Sequence, residues 1–284
     1  MMKVSTIILT YNSASVIEQT ILSCLKISSE IFIVDSYSSD DTLEICKKYT
    51  DKIYQRAFKN YSDQRNWAMR ELQISGDYEL HLDADERLSE RLAAEITLEV
   101  LDKRDPVFDG FLIPRMVYFM NKPIKHGGYY PIYHMRLFKR GKGRVESRRY
   151  DQHFVVRGKI KRLKGYLIDF HAMSLEEWTT RHNKWSSEEA IEIVSPTIGA
   201  IKGHMFGNAI ERRRYLREVF NKMPPFIAPF LLFVYRYFLR LGFLDGREGL
   251  IYCFLQTLWY RFLIDAKIYE KSNVQGVSQH AKNN

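Results

Sequence analysis

The chain has 284 residues, 45% hydrophobic and 27% charged, which excludes a disordered polymer and suffices for one large α/β domain or a core domain with an appendage. The net charge of +9 is unevenly spread: residues 1–110 hold 13 Lys/Arg against 20 Asp/Glu, while residues 136–164 hold 12 basic side chains against two acidic ones. Cys24, Cys46 and Cys253 are scattered and odd in number, with no CxxC spacing, so neither a disulfide framework nor a zinc or redox motif is expected.

Residues 3–9 read as a buried strand stopped by Thr10-Tyr11-Asn12-Ser13. This apolar run is too short for a signal-peptide core, so the protein is expected in the cytoplasm or on the inner face of a membrane. Ser15 is placed to cap a helix over 16–27. A second strand covers 30–35 and is stopped by Ser36-Tyr37-Ser38-Ser39-Asp40, after which Asp41-Thr42 opens a helix to about 49. A third strand covers 52–54, a helix 61–72, a fourth strand 78–83, and an amphipathic helix 89–101. Residues 110–171 change to short strands and glycine-punctuated turns. Ser174 caps a helix to about 193, with Glu176 and Glu177 in its first turn.

Strand–helix alternation predicts an α/β fold with an open, mostly parallel sheet flanked by helices. Ligands of such sheets lie beyond the carboxyl ends of the strands. The polar segments Thr10–Asn12, Asp35–Asp41 and Asp83–Glu86 all fall at such ends. Asp83 and Asp85 are two apart at a strand end, on one side of an extended segment. Paired in this way they suit a hard divalent cation, Mg²⁺ or Mn²⁺, which would neutralise a diphosphate leaving group.

Three segments carry a specific likeness: Val4-Ser-Thr-Ile-Ile-Leu-Thr-Tyr-Asn12, Ile33-Val-Asp-Ser-Tyr-Ser-Ser-Asp-Asp-Thr42 and Leu80-His-Leu-Asp-Ala-Asp-Glu86. As an ordered set they resemble the signatures of family 2 glycosyltransferases with the Rossmann-like GT-A fold. Tyr150-Asp-Gln-His-Phe154, Leu167-Ile-Asp-Phe-His171 and Arg181-His-Asn-Lys-Trp185 are similar to the subgroup that builds bacterial polysaccharides and the lipopolysaccharide core.

The resemblance implies an inverting, metal-dependent transfer from a nucleotide-sugar donor, a UDP-sugar, to a glycan or lipid-linked acceptor. It implies that Thr10, Tyr11 and Asn12 line the nucleotide pocket, that Asp35 meets the base with Ser36 beside it, and that Arg65 approaches the diphosphate. Asp83 would face ribose and sugar, Asp85 the metal, and His171 would be a further metal ligand. Inversion needs a group that takes the acceptor hydroxyl proton. The candidates are Asp151, His153 and Glu146, with Asp151 preferred because a carboxylate is the usual base in this family.

The expected organisation is a GT-A domain over 1–205, with a nucleotide-sugar half 1–110 and an acceptor half 111–205. A helical amphipathic appendage follows over 206–272, then a disordered tail over 273–284. The appendage contains Arg212-Arg213-Arg214 and the apolar stretches 226–235 and 250–264, both too short to span a bilayer. Peripheral or monotopic attachment to the cytoplasmic face of the inner membrane is expected, with a helical hairpin over the sheet or a homodimer contact as the alternatives. A nucleotidyltransferase would show a Gly-rich basic loop where Thr10-Tyr11-Asn12-Ser13 stands. The basic run 136–164 raises nucleic-acid binding, against which the acidic first half weighs, so no nucleic-acid partner is expected.

Overall fold

A computed structural model describes residues 1–148, 151–170, 173–197 and 201–280, with side chains described through 273. The chain forms two compact units. The first comprises Met1–Pro123, Tyr129–Ser147 and Gln152–Ala172; the second comprises Ile124–Gly128, Arg148–Asp151 and Met173–Asn284.

The first unit is an α/β sheet flanked by helices. Strands β1 (Val4–Thr10), β2 (Glu30–Asp35), β3 (Ile53–Gln55) and β4 (Tyr78–Asp83) lie parallel in the order β3-β2-β1-β4. Every residue of β1 is buried, as a central parallel strand covered on both faces requires. The sheet continues through β8 (Ile132–Lys139), β6 (Gly110–Phe119) and β12 (Leu167–Phe170) to β5 (Glu86–Leu88). β8 runs antiparallel to both β4 and β6. Two short strands, β7 (Lys122–Pro123) and β11 (Ile160–Arg162), pair with β6, and β9 (Gly143–Val145) forms a separate hairpin with β10 (Phe154–Val156).

Strand alternation divides the core. Ile8, Leu80 and Leu82 pack with α1 (Ile17–Cys24) and α4 (Glu90–Ile96, continuing through Leu101). Ile7, Leu9, Phe32 and Val34 pack against Ala68 and Leu72 of the segment headed by α3 (Tyr61–Glu71). On β4 the alternate positions Glu79, His81 and Asp83 therefore point to the α3 side.

Ser89, the first residue of the expected helix 89–101, caps α4 through the Leu92 N–H at 3.2 Å. Ser15 does not cap α1. The loop before α1 is held by its neighbour instead: Thr42 Oγ1 accepts the Ser13 N–H at 2.7 Å and Asp40 Oδ2 accepts the Ala14 N–H at 3.0 Å. Helix α2 (Thr42–Cys46) is correspondingly shorter than its sequence pattern.

The second unit is helical: α5 (Leu175–Val194), α6 (Ala209–Phe220), α7 (Ile227–Val234, continuing through Leu239), α8 (Gly246–Cys253) and α9 (Tyr260–His280). Ser174 opens α5 with the expected capping box to Glu177. The units part at residue 173 rather than at the expected 205/206. The reason is that α5 packs along α9, with Ala190 among Tyr260 and Ile264, and buried Glu189 engaged by Arg217 and Tyr260 at 2.9 Å each and by Arg261. Helix α9 reaches His280, so its backbone enters the segment 273–284 expected as a tail.

At the amino edge of the sheet, half-buried Glu30 accepts from Ser5 Oγ at 2.6 Å, from the Ser75 N–H at 2.8 Å and from Lys52. Burial alone would raise its carboxyl, but these partners outweigh burial and hold it down at about 2. A depressed carboxyl stabilises the fold fully above its ordinary value of 4.5, and that contribution is lost as pH falls towards 2. Glu30→Gln is expected to cost about 2–3 kcal/mol at pH 7 in urea unfolding, with a flatter loss of stability below pH 4.5. A variant as stable as the wild type at pH 7 would contradict this.

Candidate active site

The parallel register brings the three polar strand ends together. Thr10 pairs with Asp35, and Leu9 pairs with Asp83. Asp35 is buried: Oδ1 accepts the Ser38 hydroxyl at 2.5 Å, and Oδ2 accepts the Ser38 N–H at 2.9 Å and Gln55 Nε2 at 3.1 Å. Asn12 takes a left-handed φ of 45°, which a short polar side chain tolerates. Its Oδ1 accepts the Ser39 N–H at 2.8 Å and its own N–H donates to Ser38 Oγ at 2.9 Å. The Ser36 N–H donates to the Thr10 carbonyl at 2.9 Å. These bonds join the loops after β1 and β2 into one rim. Tyr11 is exposed on it, and Thr10 Oγ1 is buried with no hydrogen-bond partner.

Beside the rim, two arginines from different elements meet Asp83. Arg65 of α3 donates to Oδ1 at 2.6 Å and Arg136 of β8 to Oδ2 at 2.7 Å. Arg136 also donates to Glu86 Oε1 at 2.7 Å, and Glu86 Oε2 accepts the Asp83 N–H at 3.0 Å. Arg65 is buried, donates also to the Leu82 carbonyl at 3.2 Å and lies over the Phe154 ring. Burial would raise the Asp83 carboxyl; Arg136 and then Arg65 overcome it and keep Asp83 well below the usual range. Burial pushes Glu86 the other way, and Arg136 offsets only part of that. Behind Asp83 on the same face, burial drives His81 down to about 4, so its ring is neutral at pH 7 and Nε2 faces Glu79 at 3.1 Å.

Asp85 stands half-buried on the turn between β4 and β5. That turn is pinned by the Thr20 hydroxyl to the Ala84 carbonyl at 2.6 Å and by the Phe170 N–H to the Asp85 carbonyl at 3.0 Å. His171, expected as a metal ligand, lies outside the described residues. Among the described residues no three His, Cys, Asp or Glu side chains are grouped to hold a metal.

Residues 5–160, more than half the chain, match the family profile of Glycosyl transferase family 2. The chain belongs to that family. It is 28% identical over 261 residues to the lipopolysaccharide core biosynthesis glycosyltransferase LpsC of Rhizobium meliloti (strain 1021), covering 87% of this chain and 85% of that one. It is 27% identical over 288 residues to an uncharacterized glycosyltransferase of Rickettsia typhi (strain ATCC VR-144 / Wilmington), covering 96% and 88%. Among solved structures it is similar to S. aureus TarS 1–349, with 17% identity, 97% and 92% coverage and a TM-score of 0.41.

The three base candidates of this glycosyltransferase have different surroundings. Glu146 and His153 oppose each other at the loop end of the β9–β10 hairpin, both buried. The Glu146 N–H donates to the His153 carbonyl at 3.1 Å, the His153 N–H donates to Glu146 Oε1 at 3.2 Å, and His153 Nδ1 is 3.6 Å from that same oxygen. Asn66, next to Arg65, clamps the hairpin to α3 by accepting the Val145 N–H at 2.9 Å and donating to the Val145 carbonyl at 3.0 Å. Asp151 belongs to the second unit. There its carboxylate is 2.9 Å from Arg217, 3.4 Å from Arg213 and 3.9 Å from Arg214.

Sequence reasoning passed over Arg136 and the buried Glu79–His81 pair. Arg136 counted only as the start of a basic run. Glu79 and His81 carried a usable signal, since polar residues alternating with Leu80 and Leu82 in a buried strand must share the face of Asp83.

Arg136→Met leaves buried Glu86 and half-buried Asp83 facing one another without their shared cation. It is expected to cost about 3–5 kcal/mol in urea unfolding. A loss below about 1 kcal/mol, the scale of an exposed ion pair, would contradict the clasp.

Proposed function

We propose that this family 2 glycosyltransferase moves a sugar, with inversion, from a UDP-sugar to a glycan or lipid-linked acceptor of cell-surface polysaccharide or lipopolysaccharide, at the cytoplasmic face of the inner membrane. The observation that carries the reading is the meeting of Thr10, Asp35 and Asp83 on adjoining strand ends. The similarity to a lipopolysaccharide core glycosyltransferase supports the acceptor class.

Asp35 spends three hydrogen bonds on Ser38 and Gln55, which leaves about one of a carboxylate's roughly four lone-pair directions for the base N–H. Thr10 Oγ1 and Tyr11 complete the nucleotide pocket with Asn12 and Ser36. Arg65 serves the diphosphate indirectly, by holding Asp83 ionised and aimed towards ribose and sugar.

The residues fit a hard divalent cation in kind. Both Asp83 oxygens are taken by guanidiniums, so the metal role falls to Asp85, with His171 as its partner ligand. Mg²⁺ or Mn²⁺ there would neutralise the diphosphate as it leaves.

In the transfer, the acceptor oxygen bonds the anomeric carbon, the bond from that carbon to the diphosphate breaks, and the acceptor proton passes to the base. The surroundings favour His153 as that base with Glu146 orienting it, because three arginines compete for the oxygens of Asp151.

Asp85→Ala, or EDTA on the wild type, is expected to reduce nucleotide-sugar turnover at least ~100-fold; full activity in either sinks the metal reading. His153→Ala is expected to keep donor affinity by calorimetry and to lose transfer by ~100-fold or more, while Asp151→Asn stays within ~10-fold of wild type. The reverse pattern would return the base role to Asp151.

A further inference from the structure

The helix formed by α7 and its continuation presents an apolar stripe to the outside. Ile227, Phe230, Leu231, Tyr235, Phe238 and Leu239 are all exposed, at the 3–4 residue spacing of one helix face. Ala228 and Pro229 are the buried residues of α7. A neighbouring helix, α8 leading into α9, exposes Leu250, Phe254 and Phe262 at multiples of four. The two stripes join: Phe226 meets the Phe262 ring at 5.1 Å and Phe233 meets the Phe254 ring at 6.3 Å. Scattered exposed hydrophobics are ordinary on a folded surface, but a contiguous patch of this kind marks an interaction site.

The charges choose the occupant. Residues 221–244 contain Lys222, Arg236 and Arg240 and no Asp or Glu. Asp245, next along the chain, has its carboxylate covered and occupied by the Lys125 and His126 N–H groups at 3.0 and 2.8 Å and by His126 Nδ1 at 2.7 Å. A second copy placed two-fold against this face would bring like charges together, whereas an anionic lipid surface neutralises them.

The geometry chooses the depth. Among the described residues no single helix is long and apolar enough to cross a membrane, and Ile227–Leu239 and Gly242–Asn273 meet at 72°. The first of these is about 20 Å long, against a hydrocarbon core of about 30 Å. Beyond its far end, Asp245 is fastened to charged and polar groups that are costly to bury in lipid.

We infer that the joined stripes of α7 and α8–α9 are a docking surface for an anionic bilayer, on which the helices lie in the headgroup plane without crossing. Lys222 and Arg240 contact lipid phosphates, and the Phe and Leu side chains enter the upper acyl region. This deepens the reading of a lipid-linked acceptor and rests on it for its purpose. Vesicle binding and donor turnover are measured separately, so that each can fail without the other.

The full chain is sedimented with vesicles of mixed phosphatidylglycerol and phosphatidylcholine, and with phosphatidylcholine alone, while sedimentation velocity reports its own association state. Binding to the anionic vesicles is expected, with a monomer in their absence. Lys222→Gln with Arg240→Gln is expected to weaken binding roughly 30-fold, from about a 5-fold contribution per cation. Phe230→Ser with Phe238→Ser is expected to abolish binding while circular dichroism and nucleotide-sugar hydrolysis stay unchanged. Absence of vesicle binding by a monomeric protein overturns the proposal. So does a concentration-dependent dimer that dissociates in the Phe230/Phe238 variant, which would give the face to a second copy.

Discussion

A carboxylate that closes a strand and is gripped from two sides is the constraint on which the first unit turns. Asp83 ends β4, yet its two oxygens are held by Arg65 from α3 and Arg136 from β8. Glu86 shares Arg136 and returns to the Asp83 N–H, so the start of β5 is held as well. Four elements, α3, β4, β5 and β8, are thereby fixed relative to one charged point. Such an arrangement stabilises little in net terms, because desolvation of the charges offsets much of their attraction. Its effect is specificity: removing any member exposes the others to a site too dry to hold them alone.

That constraint also divides labour between two aspartates of one short motif. Asp83 is saturated by guanidiniums and acts by shape and charge. Asp85, two residues on, sits half-buried on a turn pinned by Thr20 and Phe170, and is the carboxylate we propose for the cation. Spacing alone puts both carboxylates on the same side, and it does not show that Asp83 is held by two guanidiniums. The rim formed by Asp35, Ser38, Asn12 and Ser39 follows the same logic, with side chains tying two loops into a surface that neither strand holds alone.

The order of strands β1 to β4 and their polar ends was legible, because buried parallel strands write themselves as apolar runs with abrupt polar stops. Ser174 was legible as a cap for a local reason, bonding a residue three positions on. Ser15 misled because the loop before α1 takes its hydrogen bonds from Asp40 and Thr42, partners that no local pattern reveals. Arg136 was hidden for a similar reason: its two carboxylates lie about fifty positions away. The boundary of the helical unit shifted from 205 to 173 because the helix Leu175–Val194 carries Glu189, whose partners Arg217 and Arg261 lie in α6 and α9. An amphipathic pattern shows that a helix has a buried face and is silent about what covers it.

The most direct test of the donor site is a crystal structure of the full chain grown with UDP and Mn²⁺. The expected result is uracil against Asp35, ribose near Asp83 with Arg65 and Arg136 still on its oxygens, and the cation on Asp85. Nucleotide density away from the ends of β1, β2 and β4, or a cation bound by Asp83 in place of its two arginines, would contradict the assignment.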